Sequence, residues 1–151
     1  MTRLTPEERA RLGHLAHRVD CDRVRLHRAA GPMRDLVLWL SRGRAVALGN
    51  HIFLPDNGAG DLATLAHELT HCGQFQQWGA PQYYLRGVTE QLRDLLFRRI
   101  GLGRSPYAYR LEVGKPFEAY GMEQQGQIVE DSFRGDPAAL AVSPYRPTHL
   151  A

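Results

Sequence analysis

The feature that most constrains this chain is His67-Glu68-Leu69-Thr70-His71, set inside a stretch that reads as helix. Leu62, Leu65, Ala66, Leu69 and Cys72 give that stretch an apolar side, Asp61 is a fit N-cap, and Gly79 closes the far end. These signals predict a helix over residues 62–78. Residues four apart share one helix face, so both imidazoles reach the same ion. The glutamate between them is offset, beside that ion rather than on it, where it can take a proton from an activated water. Zinc suits two imidazoles and a carboxylate, with the fourth position left for water. His67 and His71 are therefore candidate zinc ligands and Glu68 a candidate general base.

A third ligand has to come from elsewhere, and residues 116–134 read as the helix that supplies it. On a wheel of about 100° per residue, Ala119, Glu123, Gly126, Gln127 and Glu130 share one sector. Small residues let such a face lie close to another helix, and Glu123, between two of them, reaches deepest. Glu123 is the candidate third ligand, with Glu130 and His149 of the tail as alternatives. Gln127, one turn on, is expected to accept a hydrogen bond from a ligand imidazole and fix its tautomer, with Glu130 and Tyr120 as further candidates to support the ligands from behind. Tyr107, Tyr109 and Tyr120 are candidates for stabilising an oxyanion, and the sequence does not choose among them.

Around this centre the chain reads as one α+β domain of 151 residues. Thr5-Pro6-Glu7-Glu8 predicts a capped helix over residues 6–17. Residues 19–29 suggest a strand, and Met33 to Ser41 a short buried helix. Ala45–Leu48 and His51–Leu54 suggest two strands about a tight Gly49-Asn50 turn. Another helix starts at Pro81, with Leu85, Val88, Leu92, Leu95, Leu96 and Arg99 at helical spacing, and Tyr107–Tyr109 suggests a further strand. A basic region over residues 1–30 and an extended tail over residues 137–151 are expected to lie peripheral to the core. The expected architecture is a short antiparallel sheet packed on the HExxH helix and a C-terminal glutamate-bearing helix.

Composition excludes some classes. An apolar run such as Leu36–Leu40 is far too short to span a bilayer. The N-terminal residues carry no apolar leader segment, which predicts a protein that is cytoplasmic as made. Cys21 and Cys72, the two cysteines, do not make a disulfide framework. Net charge is +3, with a basic first third and an acidic stretch over residues 112–136, and internal pairing is the favoured reading. The Arg-rich N-terminal third lacks interleaved aromatics, so nucleic acid is not an expected partner.

Two segments together, LAHELTHCGQFQQWG and GKPFEAYGMEQQGQIVED, resemble the zincin-like core domain associated with extracellular contractile injection systems and Vgr-related proteins. The resemblance runs from about Ala47 to Gly135. It implies a gluzincin-type metallopeptidase fold with His67 and His71 as ligands and Glu68 as base. The family's third ligand is a glutamate followed three residues later by a small residue, which Glu123 and Gly126 match. Cys72 departs from the apolar residue expected after the second histidine, and a buried thiol fills that role.

The expected function is zinc-dependent hydrolysis of a peptide or protein substrate by an effector or processing protease exported with a contractile secretion particle. If the strand His51–Leu54 lies at a sheet edge, it would hold an extended substrate by main-chain pairing. The rival reading is a zincin-shaped interaction module that docks on other particle components without cutting anything.

Overall fold

A computed structural model of the chain describes residues 1–56, 61–89 and 109–148. Thr5 and Glu8 form the predicted capping box: Thr5 N–H donates to Glu8 Oε2 at 2.8 Å and Glu8 N–H to Thr5 Oγ1 at 3.1 Å. The predicted first helix is two helices, α1 (Pro6–Leu12) and α2 (His14–Arg18), broken at Gly13. Gly13 has φ +55°, and a Cβ there would meet Thr148 Oγ1 at 3.0 Å and the Arg146 carbonyl at 3.2 Å. The break therefore comes from chain packed against α1 rather than from local sequence.

Strand β1 (Arg25–His27), helix α3 (Pro32–Leu40), and strands β2 (Val46–Leu48) and β3 (His51–Phe53) follow. The sheet order is β1-β3-β2, with β2 antiparallel and β1 parallel to β3. The sheet is thus mixed, not purely antiparallel, because α3 provides the crossover that returns the chain beside β1. It also makes β3 the central strand, so β3 has no free edge for a substrate. Leu26, Ile52 and Ala47 are in register and form one buried row across the sheet.

Helix α4 (Leu62–Trp78) has the bounds its sequence predicts. Asp61 caps it, accepting from Ala63 N–H at 3.1 Å and Thr64 Oγ1–H at 2.6 Å. Gln76 ties its far end to the hairpin turn by donating to Asn50 Oδ1 at 2.8 Å. Helix α5 follows Gly79 and is described over residues 80–89. The expected continuation through Leu92, Leu95, Leu96 and Arg99, and the strand at Tyr107–Tyr109, lie outside the described residues except for Tyr109.

The predicted helix over 116–134 begins later than expected. Phe117–Ala119 is a single 3₁₀ turn, Tyr120 is extended, and α6 runs Met122–Phe133 from Gly121. Buried Phe117 and Tyr120 pin the turn to the core, and Gln125 Nε2–H donates to the Tyr120 carbonyl at 2.8 Å. Ala119 consequently lies outside the helix that carries Glu123. The tail is not extended either: Asp136 and Pro137 start α7 (Pro137–Val142), Ala139 is fully buried, and Thr148 Oγ1–H donates to the Ala10 carbonyl at 2.7 Å.

Neither terminal region is peripheral. Leu4, Leu12, Leu15, Val24, Leu26 and Ala139 join Leu65, Leu69, Cys72, Ile128 and Val129 in one buried apolar cluster. The basic N-terminal third pairs within its own neighbourhood, Arg9 with Asp22 at 2.8 Å and Arg28 with Glu8. Helix α6 packs along α4, and that contact creates the site. No helix among the described residues is long and apolar enough to cross a membrane.

Candidate metal centre

One turn of α4 places His67 and His71 side by side, with Nε2 atoms 3.1 Å apart and rings at 71°. Both are buried, at 7% and 4% exposure. From α6, Glu123 Oε2 comes to 3.8 Å of His67 Nε2 and 3.6 Å of His71 Nε2. The ligand-capable atoms of these three residues all lie within 4.8 Å of one another. Zinc–nitrogen bonds of about 2.0–2.1 Å at a tetrahedral angle set two nitrogens about 3.3 Å apart. The two imidazoles already stand at that separation.

The outer hydrogen bonds define which imidazole nitrogen is free. Gln74 Nε2–H donates to Gln125 Oε1 at 2.9 Å and to the Met122 carbonyl at 3.3 Å. Its carbonyl oxygen therefore faces His71 Nδ1, at 2.8 Å, and Nδ1–H is the donor. His67 Nδ1 faces the Glu130 carboxylate at 3.0 Å, so that nitrogen also carries its proton. In the neutral rings both Nε2 lone pairs then point inward with the Glu123 carboxylate. Three acceptors converge with no donor among them, an arrangement that a bound cation resolves. The residues fit a zinc ion.

A proton is the alternative cation, and the electrostatics show the same pull. Burial alone would lower the His67 pKa, yet its contacts with Glu123 and Glu130 raise it to about 10. Glu123 opposes its own burial and is held well below the usual carboxylate range by His71 and His67. Glu68, one residue along α4, is buried at 6% exposure, and that burial pushes its pKa up. Its carboxylate takes no hydrogen bond from a described residue.

Gly126 sets how closely α6 approaches. A Cβ at that position would lie 2.8 Å from His67 Nε2 and 3.0 Å from its Cδ2 and Cε1. Backbone carries this glycine, so a side chain there displaces either the ring or the helix. Gly126→Ala is expected to cost about 1–3 kcal/mol of stability, the range for overpacking a filled interior. Denaturant unfolding of chelated protein against wild type measures it, and an unchanged midpoint would show that the helices have room to spare.

The other sequence expectations divide. Gln127 does not meet an imidazole; its Nε2–H donates to Asp131 Oδ1 at 3.0 Å, four residues along the same helix. Glu130 stands at the His67 ring where Gln127 was expected, and Gln74 stands in the same way at the His71 ring. Gln74 was legible as an i, i+3 neighbour of His71. Tyr120 is turned away from the cluster, accepting from Glu112 N–H at 3.1 Å beneath Lys115. Tyr109 donates to Asp131. Tyr107 and His149 lie outside the described residues. Cys72 is fully buried and its thiol is pushed up by burial, as suits a core residue.

The chain is similar to proteins of known secretion systems. The type VI secretion system spike protein VgrG2b of Pseudomonas aeruginosa is 35% identical over 109 residues, 66% of this chain and 10% of that protein. The chain thus matches about a tenth of the spike protein's length. The effector domain of Pseudomonas aeruginosa VgrG2b superposes with a TM-score of 0.65 at 28% identity, covering 93% of this chain and 81% of that one. The sequence model described as eCIS core domain matches residues 4–79, taking in the N-terminal region that the resemblance had left out and ending just after α4. With half its length under that model, the chain belongs to the eCIS core domain family.

Proposed function

We propose that this chain is a zinc-dependent metallopeptidase domain that serves as an effector of a type VI secretion or related contractile injection particle. The carrying observation is the convergence of two imidazole lone pairs and one carboxylate beside the buried Glu68. His67, His71 and Glu123 would hold the ion. When bound, zinc polarises a carbonyl and lowers the pKa of a coordinated water. Glu68 receives the proton of the attacking water and returns it to the departing amine. Gln74 and Glu130 orient the two imidazoles, and α6 excludes water from one side of the cluster.

The relatives' names support the delivery half of this reading, since one is a spike protein and the other its effector domain. A peptide or protein is the substrate class that this donor set and base would serve.

Metal analysis of purified protein, run beside hydrolysis of unfolded casein, tests the proposal. Close to one equivalent of zinc is expected, with hydrolysis stopped by a chelator and restored by added zinc. Zinc without hydrolysis of casein or of the chain itself would favour the interaction module. Absence of zinc after reconstitution would remove the metal centre altogether.

A further inference from the structure

The two imidazoles are backed differently. His71 meets a neutral amide, Gln74, whereas His67 meets the Glu130 carboxylate. Glu130 is itself held: its Oε1 accepts from Arg134 Nη2–H at 2.8 Å. The same Nη2 donates to Asp61 Oδ2 at 2.7 Å. Asp61 is the N-cap of α4, the helix that carries His67. A continuous series of contacts thus leaves the start of α4, crosses to the end of α6 and returns to one ring on α4.

We propose that Arg134 is a positioning residue of the metal centre, aiming Glu130 at His67 so that the ring keeps Nδ1–H outward and Nε2 inward. An imidazole turned over about its Cβ–Cγ bond presents carbon where Nε2 stands, and the fixed carboxylate opposes that turn. Glu130 has an exit to solvent, its side chain being 18% exposed. Arg134, the residue that caps the C-terminal end of α6, blocks that exit four positions on, in the favourable order of acid before base. Arg134 is itself 51% exposed, and ion pairs at such exposure contribute little to stability. An effect of Arg134 on the metal that far exceeds its effect on folding is therefore the mark of positioning. This inference rests on the zinc reading above for its affinity readout, and on the His67 hydrogen bond alone for its second readout.

Three forms of the full chain decide it: wild type, Arg134→Ala and Arg134→Lys. Zinc affinity is read by chelator competition, the His67 Nδ1 proton by NMR of histidine-labelled protein, and folding by melting in chelator. Arg134→Ala is expected to weaken zinc about 10-fold, the lower end for outer partners of a ligand, with melting in chelator unchanged. The Nδ1 proton signal should weaken or vanish. Arg134→Lys should restore both, because the two contacts come from one nitrogen and an ammonium donates in several directions. Unchanged affinity and signal in Arg134→Ala would overturn the proposal. So would an affinity loss that follows melting and is not rescued by lysine. If wild type takes up no zinc, the function reading fails, while loss of the Nδ1 signal in Arg134→Ala and its return in Arg134→Lys still decide the positioning role.

Discussion

Glu68→Gln is expected to leave the chain folded and zinc-loaded while cutting peptide hydrolysis by about 10²–10⁴-fold, the usual worth of a positioned general base. The substitution keeps the shape of the side chain and removes its ability to accept a proton. Glu68 is buried and takes no hydrogen bond from a described residue, so its ionised form is solvated poorly. A neutral amide at that place carries a smaller desolvation cost, and melting of the chelated variant should match or exceed that of wild type. Zinc content should not change, since His67, His71 and Glu123 supply the converging atoms. Steady-state hydrolysis, metal analysis and melting on one preparation separate these outcomes. Retained hydrolysis in a zinc-loaded Glu68→Gln protein would take the base role away from Glu68. Joint loss of zinc and activity would make Glu68 a structural member of the site.

The parts of the molecule that sequence reveals are those whose causes are local. Helix α4 is legible to the residue because Asp61, Gly79 and the spacing of its apolar side all act within a few turns. The hairpin of β2 and β3 is legible for the same reason, through Gly49-Asn50. The parallel pairing of β1 with β3 is not, because the choice of strand partner depends on how α3 packs across the chain. Gly13 and the helix break it permits depend on Thr148 and Arg146, more than 130 positions away. The face of α6 falls between these cases. A difference of seven residues returns Glu130 to nearly the angle of Glu123, so periodicity alone puts both carboxylates toward α4. Which of them meets Nε2 and which meets Nδ1 depends on where α6 starts, and the turn at Tyr120-Gly121 sets that start. Gln127 sits on the same sector but finds Asp131 one turn ahead, a pairing that helix spacing also favours.

Glu123→Ala is expected to weaken zinc binding by about 100-fold or more, beyond the 10–100-fold that loss of an outer partner typically costs. The argument is one of position. Glu123 Oε2 stands nearly equidistant from the two Nε2 atoms, at 3.8 and 3.6 Å, whereas Glu130 contacts the opposite nitrogen of His67. Removing Glu123 takes away the negative charge of the converging set and leaves two neutral donors for a divalent ion. Removing Glu130 leaves all three donors and frees only one ring to turn. The two variants should therefore separate: Glu130→Ala within the range of an outer partner, Glu123→Ala outside it. Chelator competition on wild type and both variants supplies the comparison, and melting with and without zinc supplies a second one. An ion that binds only the folded form stabilises it in step with its affinity, so protection by added zinc should nearly vanish in Glu123→Ala at concentrations that still protect Glu130→Ala. A reversed order, with Glu130→Ala the more damaging, would mean that α6 meets the ion through its later turn. Glu123 would then be a neighbour of the centre rather than a ligand, and the position of Gly126 against the His67 ring would need another explanation.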